Sequence, residues 1–420
     1  MSKTPLPGEY SFAAILHEIG HTLGLVHGQT TINPNSGNTD PGSIPFGNMD
    51  AQHQDVEYSI MNYSGYIGGP TTGATEGSDS FPQTYMMYDI AALQLMYGAN
   101  FSNVGTNSTY TWDPVTGEEF INSVPQGVAP PLNGKIFETV WTGGANSTYD
   151  LSNFNNDCLL DMRPGGFMEF SPSQLADLGF NGLGAITAQG NVYNALVPRL
   201  IDNGDNLAPP DYRAEIGSII TGNGNDVVHG NDLYNTIILG SGNDHVTLGS
   251  GGGFIRLGTG SDIIEGSIAP NATSPRNVLD YSWESSGIEV NLVRDGLNLG
   301  DGGVRKGPGP NFDGFTDIQS FLGGAGNDTF NAVADHVSYY FDGGGGTNTL
   351  SYSDDATALT INVLYHFVLK DDPQLGLKFD DFANIQNFIG GPGGTKFVSS
   401  LESNFTFTGA VTATNTLDYS

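Results

Sequence analysis

The sequence predicts an α+β chain: two helices near the start, then an all-β remainder that includes a right-handed parallel β-roll. Three observations predict it. Apolar residues recur at helical spacing in SFAAILHEIGHTL (residues 11–23) and TYMMYDIAALQLMYG (about 85–97). From about residue 100 to 220, short alternating stretches such as IFETVWTGG and STYDLSNF are broken by Gly, Pro, Asn and Asp, the signature of strands and turns. From Thr221 the chain falls into nines: TGNGNDVVH, GNDLYNTII, LGSGNDHVT, LGSGGGFIR and LGTGSDIIE, covering residues 221–265 without a gap.

The first helix is expected to bury Phe12, Ile15, Leu16, Ile19 and Leu23. It also opens HEIGHTLGLVH, which places His17, His21 and His27 within eleven residues. His17 and His21 lie one turn apart on the same face, so they can share a ligand. His27 would be about 9 Å further along a straight helix, whereas a zinc–nitrogen bond is about 2.0 Å. The helix must therefore stop, and Gly24 sits where glycine can enter the left-handed conformation that ends a helix. The chain then doubles back to bring His27 to the same ion. Glu18 faces a water at the open side of that ion. Three neutral imidazoles and a water make a common catalytic zinc arrangement.

A polar stretch leads to about Glu57, and YSIMNYSGY (58–66) follows with Met61 and Tyr63 in a tight segment. His53 is expected on a surface loop. The second helix is expected to end at Gly98.

In each nine-residue repeat six residues form a turn and three a short strand, so two repeats make one coil and alternate turns share an edge. Asp226, Asp244 and Asp262 then line one edge, with Asn235 and Gly253 at the equivalent places on the other. Carboxylates stacked about 4.8 Å apart repel unless a cation lies between them. The expected calcium residues are Gly222, Gly224 and Asp226; Gly240, Gly242 and Asp244; Gly258, Gly260 and Asp262; and, from the later GGAGND turn, Gly324, Gly326 and Asp328. A longer repeat overlies the nines. NVLDYSWESSGIEVNL (277–292) and FTDIQSFLGGAGNDTF (315–330) return as NTLSYSDDATALTINV (348–363) and FANIQNFIGGPGGTKF (382–397), and NTLDYS (415–420) begins a third copy. In these copies GGGGTN and GGPGGT have lost the aspartate, at Asn348 and Thr395.

Composition agrees with a cation binder. The 420 residues carry 45 acidic against 13 basic side chains, a net charge of −32, which argues against nucleic acid and anionic membrane surfaces as partners. Cys158 stands alone, so no intrachain disulfide framework exists and bound metal is the alternative staple. No apolar run approaches the roughly 20 residues that span a bilayer. No apolar secretory segment follows Met1, so export is expected to use another signal.

His17 to His27 match the metzincin signature H-E-x-x-H-x-x-G-x-x-H. YSIMNY resembles the Met-turn of that clan, with a tyrosine two residues after the methionine as in the serralysin branch. DIAALQLMYGAN (89–100) resembles the helix that closes serralysin catalytic domains, and the nines resemble the RTX calcium-binding β-roll. The resemblance implies a partial metzincin catalytic domain and a secreted bacterial zinc metalloendopeptidase, exported by the type I secretion machinery, that cuts protein or peptide substrates in the extracellular medium. It implies one catalytic Zn2+ held by His17, His21 and His27, with Tyr63 as an additional, displaceable ligand. Met61 is implied as an apolar floor, Glu18 as the general base and then acid, and several Ca2+ ions as structural.

The expected parts are 1–100, the C-terminal portion of the protease domain; 101–220, a β-rich connection; 221–267, the roll; and 268–420, degenerate repeats. Sixteen residues precede His17 and the last repeat breaks off, so the chain is expected to be truncated at both ends. A calcium-binding β-roll surface or adhesion protein with a vestigial protease segment is the competing reading.

Overall fold

The computed structural model describes residues 4–28, 49–127, 130–197, 211–267, 277–293, 301–335, 337–372, 376–400 and 404–419. Most of the polar stretch after His27 lies outside them. The chain divides into two compact units, Met1–Asn231 and Asp232–Ser420, so the boundary falls inside the nine-residue run.

In the first unit, helix α1 spans Tyr10–Thr22 and helix α2 spans Met87–Tyr97. The buried face of α1 differs from the expected one. Ala13 and Gly20 are buried, whereas Ile15 and Ile19 are 50% and 43% exposed. Small side chains let the helix lie close over Ile60, Met61 and Phe81, which form one core with Ala13 and Leu25, and this close approach turns the larger isoleucines outward. Tyrosines fasten the two helices: the Tyr85 hydroxyl donates to the Leu16 carbonyl at 2.9 Å and that of Tyr97 to the Leu23 carbonyl at 2.8 Å. Helix α2 ends as expected, with Gly98 at φ +83° and its N–H bonded to the Gln94 carbonyl. A second core joins Val56, Met86 and Met87 to Phe137, Leu178 and Tyr193 of the β-region. There the strands Asn107–Trp112, Asn146–Asp150 and Ile216–Ile220 run parallel, and Leu159–Asp161 pairs parallel with Val227–His229.

The second unit is two sheets of short, mostly parallel strands. In one, residues 237, 255, 279, 321, 341 and 382 stand in strict register, so Ile237, Ile255, Leu279, Phe321, Phe341 and Phe382 form one buried column. In the other, Val290, Phe330, Leu350 and Phe388 do the same. The residue two places after each turn Asp or Asn enters the core, because strand side chains alternate between faces. Ile264 is therefore buried while its neighbour Ile263 is 54% exposed. The stacking also explains the repeat glycines: a Cβ on Gly258 would lie 1.5 Å from the Gly240 carbonyl oxygen, and one on Gly260 1.7 Å from that of Gly242. Two antiparallel ribbons that the sequence did not announce interrupt the coils, one of residues 288–293 with 301–316 and one of 358–372 with 376–383.

Among the described residues no helix is long and apolar enough to cross a membrane.

Candidate metal centre and cleft

The bend after α1 is a Schellman ending. The Leu25 N–H bonds to the Gly20 carbonyl at 2.9 Å and the Gly24 N–H to the His21 carbonyl at 3.1 Å, with Gly24 at φ +94°. The reversal brings His27 back onto the helix face: its Nε2 lies 3.1 Å from His17 Nε2 and 3.0 Å from His21 Nε2. Any L side chain at Gly24 is strained in this conformation. Gly24→Ala is expected to cost about 1–2 kcal/mol and to weaken metal binding by displacing His27. Urea unfolding and metal titration of the variant check both.

The tautomers follow from the backbone. His17 Nδ1 lies 2.9 Å from the Ile60 carbonyl oxygen and His21 Nδ1 lies 3.0 Å from that of Leu25. A carbonyl can only accept, so both Nδ1 atoms carry the proton and both Nε2 atoms present lone pairs to the point shared with His27. Such a point of convergence can take a cation. Four ligands arranged tetrahedrally around zinc at about 2.0–2.1 Å stand about 3.3 Å from one another. The three imidazoles fit that spacing, and these ligand atoms all lie within 4.8 Å of one another.

Tyr63 completes the cluster, its hydroxyl 2.8 Å from His27 Nε2. Met61, 1% exposed, lies beneath the helix. Gly20 makes room for it, since a Cβ there would come within 2.7 Å of the Met61 sulfur. His17, Glu18 and Tyr63 open onto a cleft of about 400 Å³, whose wall includes Tyr10, Ile60 and Phe81. His53 does not join them: its ring packs against Tyr58 and Tyr88, and its Nδ1 lies 3.6 Å from Asp50.

Sequence reasoning missed the residue that holds this floor in place. Asp89, 2% exposed in the first turn of α2, accepts from the Ser59 hydroxyl at 2.5 Å, the Ile60 N–H at 2.8 Å and the Met86 N–H at 3.0 Å. It thereby fixes the residue whose carbonyl orients His17. Burial pushes its carboxyl up to about 6, against the pull of those three donors. An acidic residue in the first turn of a helix is the one signal that could have found it. Behind the turn, the Glu57 carboxylate accepts from the Gln189 N–H at 2.6 Å and from the Tyr193 hydroxyl. Burial, with Glu57 adding to it, pushes the neighbouring Asp55 carboxyl up to about 7.

The residues expected to hold calcium are distributed over both units. Gly222, Gly224 and Asp226 belong to the first, where Asp226 Oδ1 accepts from the Cys158 N–H at 2.9 Å. In the second, the turns of Gly240, Gly242 and Asp244 and of Gly258, Gly260 and Asp262 are successive coils of one stack. Asp262 Oδ1 accepts from the Asp244 N–H at 3.0 Å. In the later turn of Gly324 and Gly326, Asp328 Oδ1 accepts from the Ile288 N–H at 2.8 Å. One carboxylate oxygen of Asp226, of Asp262 and of Asp328 thus ties its turn to a neighbouring segment, a role the spacing alone did not reveal. The second oxygen of Asp328, a residue only 1% exposed, has no hydrogen-bond partner among the described residues. Burial raises this carboxyl to about 6.

Comparison with known proteins adds an independent finding. The chain is 33% identical over 236 residues to a serralysin of Proteus mirabilis, a match covering 56% of this chain and 38% of that protein. It is 29% identical over 230 residues to a serralysin of Photorhabdus laumondii, covering 54% and 38%. Against the metallopeptidase AprA of Pseudomonas marginalis it is 28% identical over 168 residues, covering 40% and 33%. The chain therefore spans about two fifths or less of the length of these relatives. No family model matches.

Proposed function

Because this chain is a distant relative of the serralysins, we propose that it carries the zinc-binding portion of a secreted metalloendopeptidase attached to a calcium-stabilised β-roll. The observation that carries the proposal is the convergence of three imidazole Nε2 atoms, two of them on rings whose Nδ1 faces a backbone carbonyl and so leaves Nε2 as the ligand atom of the neutral ring. His17, His21 and His27 would hold the ion. Zinc bound there supplies Lewis acidity and brings the pKa of a water to about 7.

The remaining steps belong to the chain. Glu18, next to His17 on the exposed side of α1 and open to the same cleft, takes the proton from the attacking water and passes it to the leaving amine. Tyr63 donates its phenolic hydrogen to the carbonyl oxygen of the scissile peptide as negative charge develops there. Tyr63→Phe is expected to keep the metal and lower kcat by about 10²-fold with little change in KM, as measured by peptide hydrolysis. Protein or peptide substrates lie along the cleft wall formed by Tyr10, Ile60 and Phe81.

Calcium fits the Asp328 turn, whose buried, unpartnered oxygen calls for a cation, and by the repeat pattern the turns of Asp226 and Asp244 as well. An acidic roll stiffened by calcium suits the millimolar calcium outside a cell, and type I export is the corresponding route. The test is cleavage of casein or a quenched-fluorescence peptide by the zinc- and calcium-loaded chain. Hydrolysis abolished by a zinc chelator supports the proposal, and intact substrate in the presence of one bound zinc per chain overturns it.

A further inference from the structure

Among the described residues of the second unit, two lysine side chains are almost wholly enclosed, Lys306 at 3% exposure and Lys370 at 1%. The long repeat places them equivalently. In the first ribbon Ile288 pairs with Lys306 and Val304 with Asp313. In the second Leu359 pairs with Lys370 and Val368 with Asp380. Each lysine is thus two residues beyond the partner of its aspartate, on the same face of the ribbon.

The contacts repeat as well. Lys306 Nζ lies 2.9 Å from Asp313 Oδ1 and 3.3 Å from Asp262 Oδ2, and donates to the Gly258 carbonyl at 3.0 Å. Lys370 Nζ lies 2.8 Å from Asp380 Oδ1 and 3.6 Å from Asp335 Oδ1, and donates to the Val337 carbonyl at 2.6 Å. A tyrosine hydroxyl closes each cluster: Tyr281 donates to Asp313 Oδ2 at 2.9 Å and Tyr352 to Asp380 Oδ2 at 2.5 Å. Two carboxylates and a backbone carbonyl form the oxygen cradle a hard divalent ion takes. Asp262 and Gly258 are residues at which the repeat pattern alone predicts calcium. An ammonium hydrogen-bonded to both leaves no room on that side for a second cation.

Asparagine meets the same need in turns that have lost aspartate. The Asn348 amide donates to the carbonyls of Gly343, Gly345 and Asn384 at 2.8–2.9 Å. That of Asn277 donates to the carbonyls of Ser267 and Asp317 at 3.1 and 2.9 Å. Carbonyls that a calcium ion would gather are gathered instead by the chain's own N–H groups.

We infer that Lys306 and Lys370 are built-in cations occupying two turn-edge sites of the roll, so that the ribbon of residues 288–293 with 301–316 and that of 358–372 with 376–383 hold their structure without calcium. The inference is independent of peptide hydrolysis and concerns the roll alone. Calcium dependence is left to turns such as that of Asp328. Degenerate repeats of this kind are a solution to a charge problem rather than decayed calcium sites. Each ammonium faces two carboxylates and is itself delivered by an inserted ribbon.

Hydrogen exchange of the full chain, followed by mass spectrometry in EDTA and in millimolar calcium, tests it. The wild type is expected to keep the amides of both ribbons protected in EDTA. Protection lost in EDTA and restored by calcium overturns the inference. Lys306→Met and Lys370→Met, each in the full chain in EDTA, are expected to lower protection of the substituted ribbon by about a hundredfold or more, because the carboxylates are left buried without a cation. A variant whose ribbon remains as protected as the wild type overturns the assignment of the ammonium as the cation.

Discussion

Glu18→Gln is expected to leave one zinc bound per chain while lowering peptide hydrolysis by about 10²–10⁴-fold, the range over which a positioned acid–base group acts. The separation follows from position. Glu18 adjoins His17 in sequence, but it lies on the exposed side of α1 and lines the cleft. The imidazoles instead take their orientation from the carbonyls of Ile60 and Leu25, which the substitution does not touch. Glutamine preserves size and polarity and removes only the basic oxygen. Metal content by mass spectrometry and a peptide assay on the same preparation read the two effects separately. Normal turnover in the variant would remove Glu18 from the mechanism.

Asp89→Ala is expected to cost about 3–5 kcal/mol, because three buried donors lose their acceptor at once. The effect is expected to reach the metal site through one residue, Ile60. Asp89 accepts from the Ile60 N–H, and the Ile60 carbonyl receives His17 Nδ1. A partner behind a ligand typically accounts for about 10–100-fold in metal affinity. The pH dependence has a definite sign. The carboxyl lies at about 6 in the folded chain against an ordinary 3.8, so the folded state takes up this proton at higher pH than the unfolded state. The contribution of Asp89 to stability is therefore largest below pH 4 and declines by about 3 kcal/mol as pH rises to 6 and beyond. Urea unfolding of metal-free wild type and Asp89→Asn at pH 4 to 7 should give a difference that falls with rising pH. A difference that rises with pH would mean that the carboxylate is favoured in the folded chain.

The three clustered histidines were legible in the sequence because helix geometry and one glycine constrain them: two residues a turn apart, a stop, and a third brought back. Their support was not. Ile60 and Leu25 contribute carbonyls, and a side-chain alphabet carries no record of which carbonyls will be used. Helical periodicity identified α1 but misjudged its face, since it scores Ile15 and Ile19 above the Ala13 and Gly20 that permit close packing. Gly20 lies inside the histidine motif, and its reason is the Met61 sulfur.

In the β-region the nine-residue spacing was sufficient to place the turns and their aspartates. The inserted ribbons escaped because IEVNLV and ALTIN alternate like any other strand and the ribbons' length is not set by the repeat. A lysine within the otherwise apolar FVLK of a chain with only 13 basic residues was the available signal at Lys370. Its meaning depended on Asp335 and Asp380, which only the folded register brings within reach.

Joined by the bend at Gly24, the three imidazoles are expected to hold a single ion. Zinc content and affinity of the full chain, measured after dialysis for wild type and for His27→Ala, test it most directly. One tightly held zinc per wild-type chain, lost from the variant, is the predicted result. Zinc retained by His27→Ala with undiminished affinity, or absent from the wild type at saturating concentration, would contradict the claim.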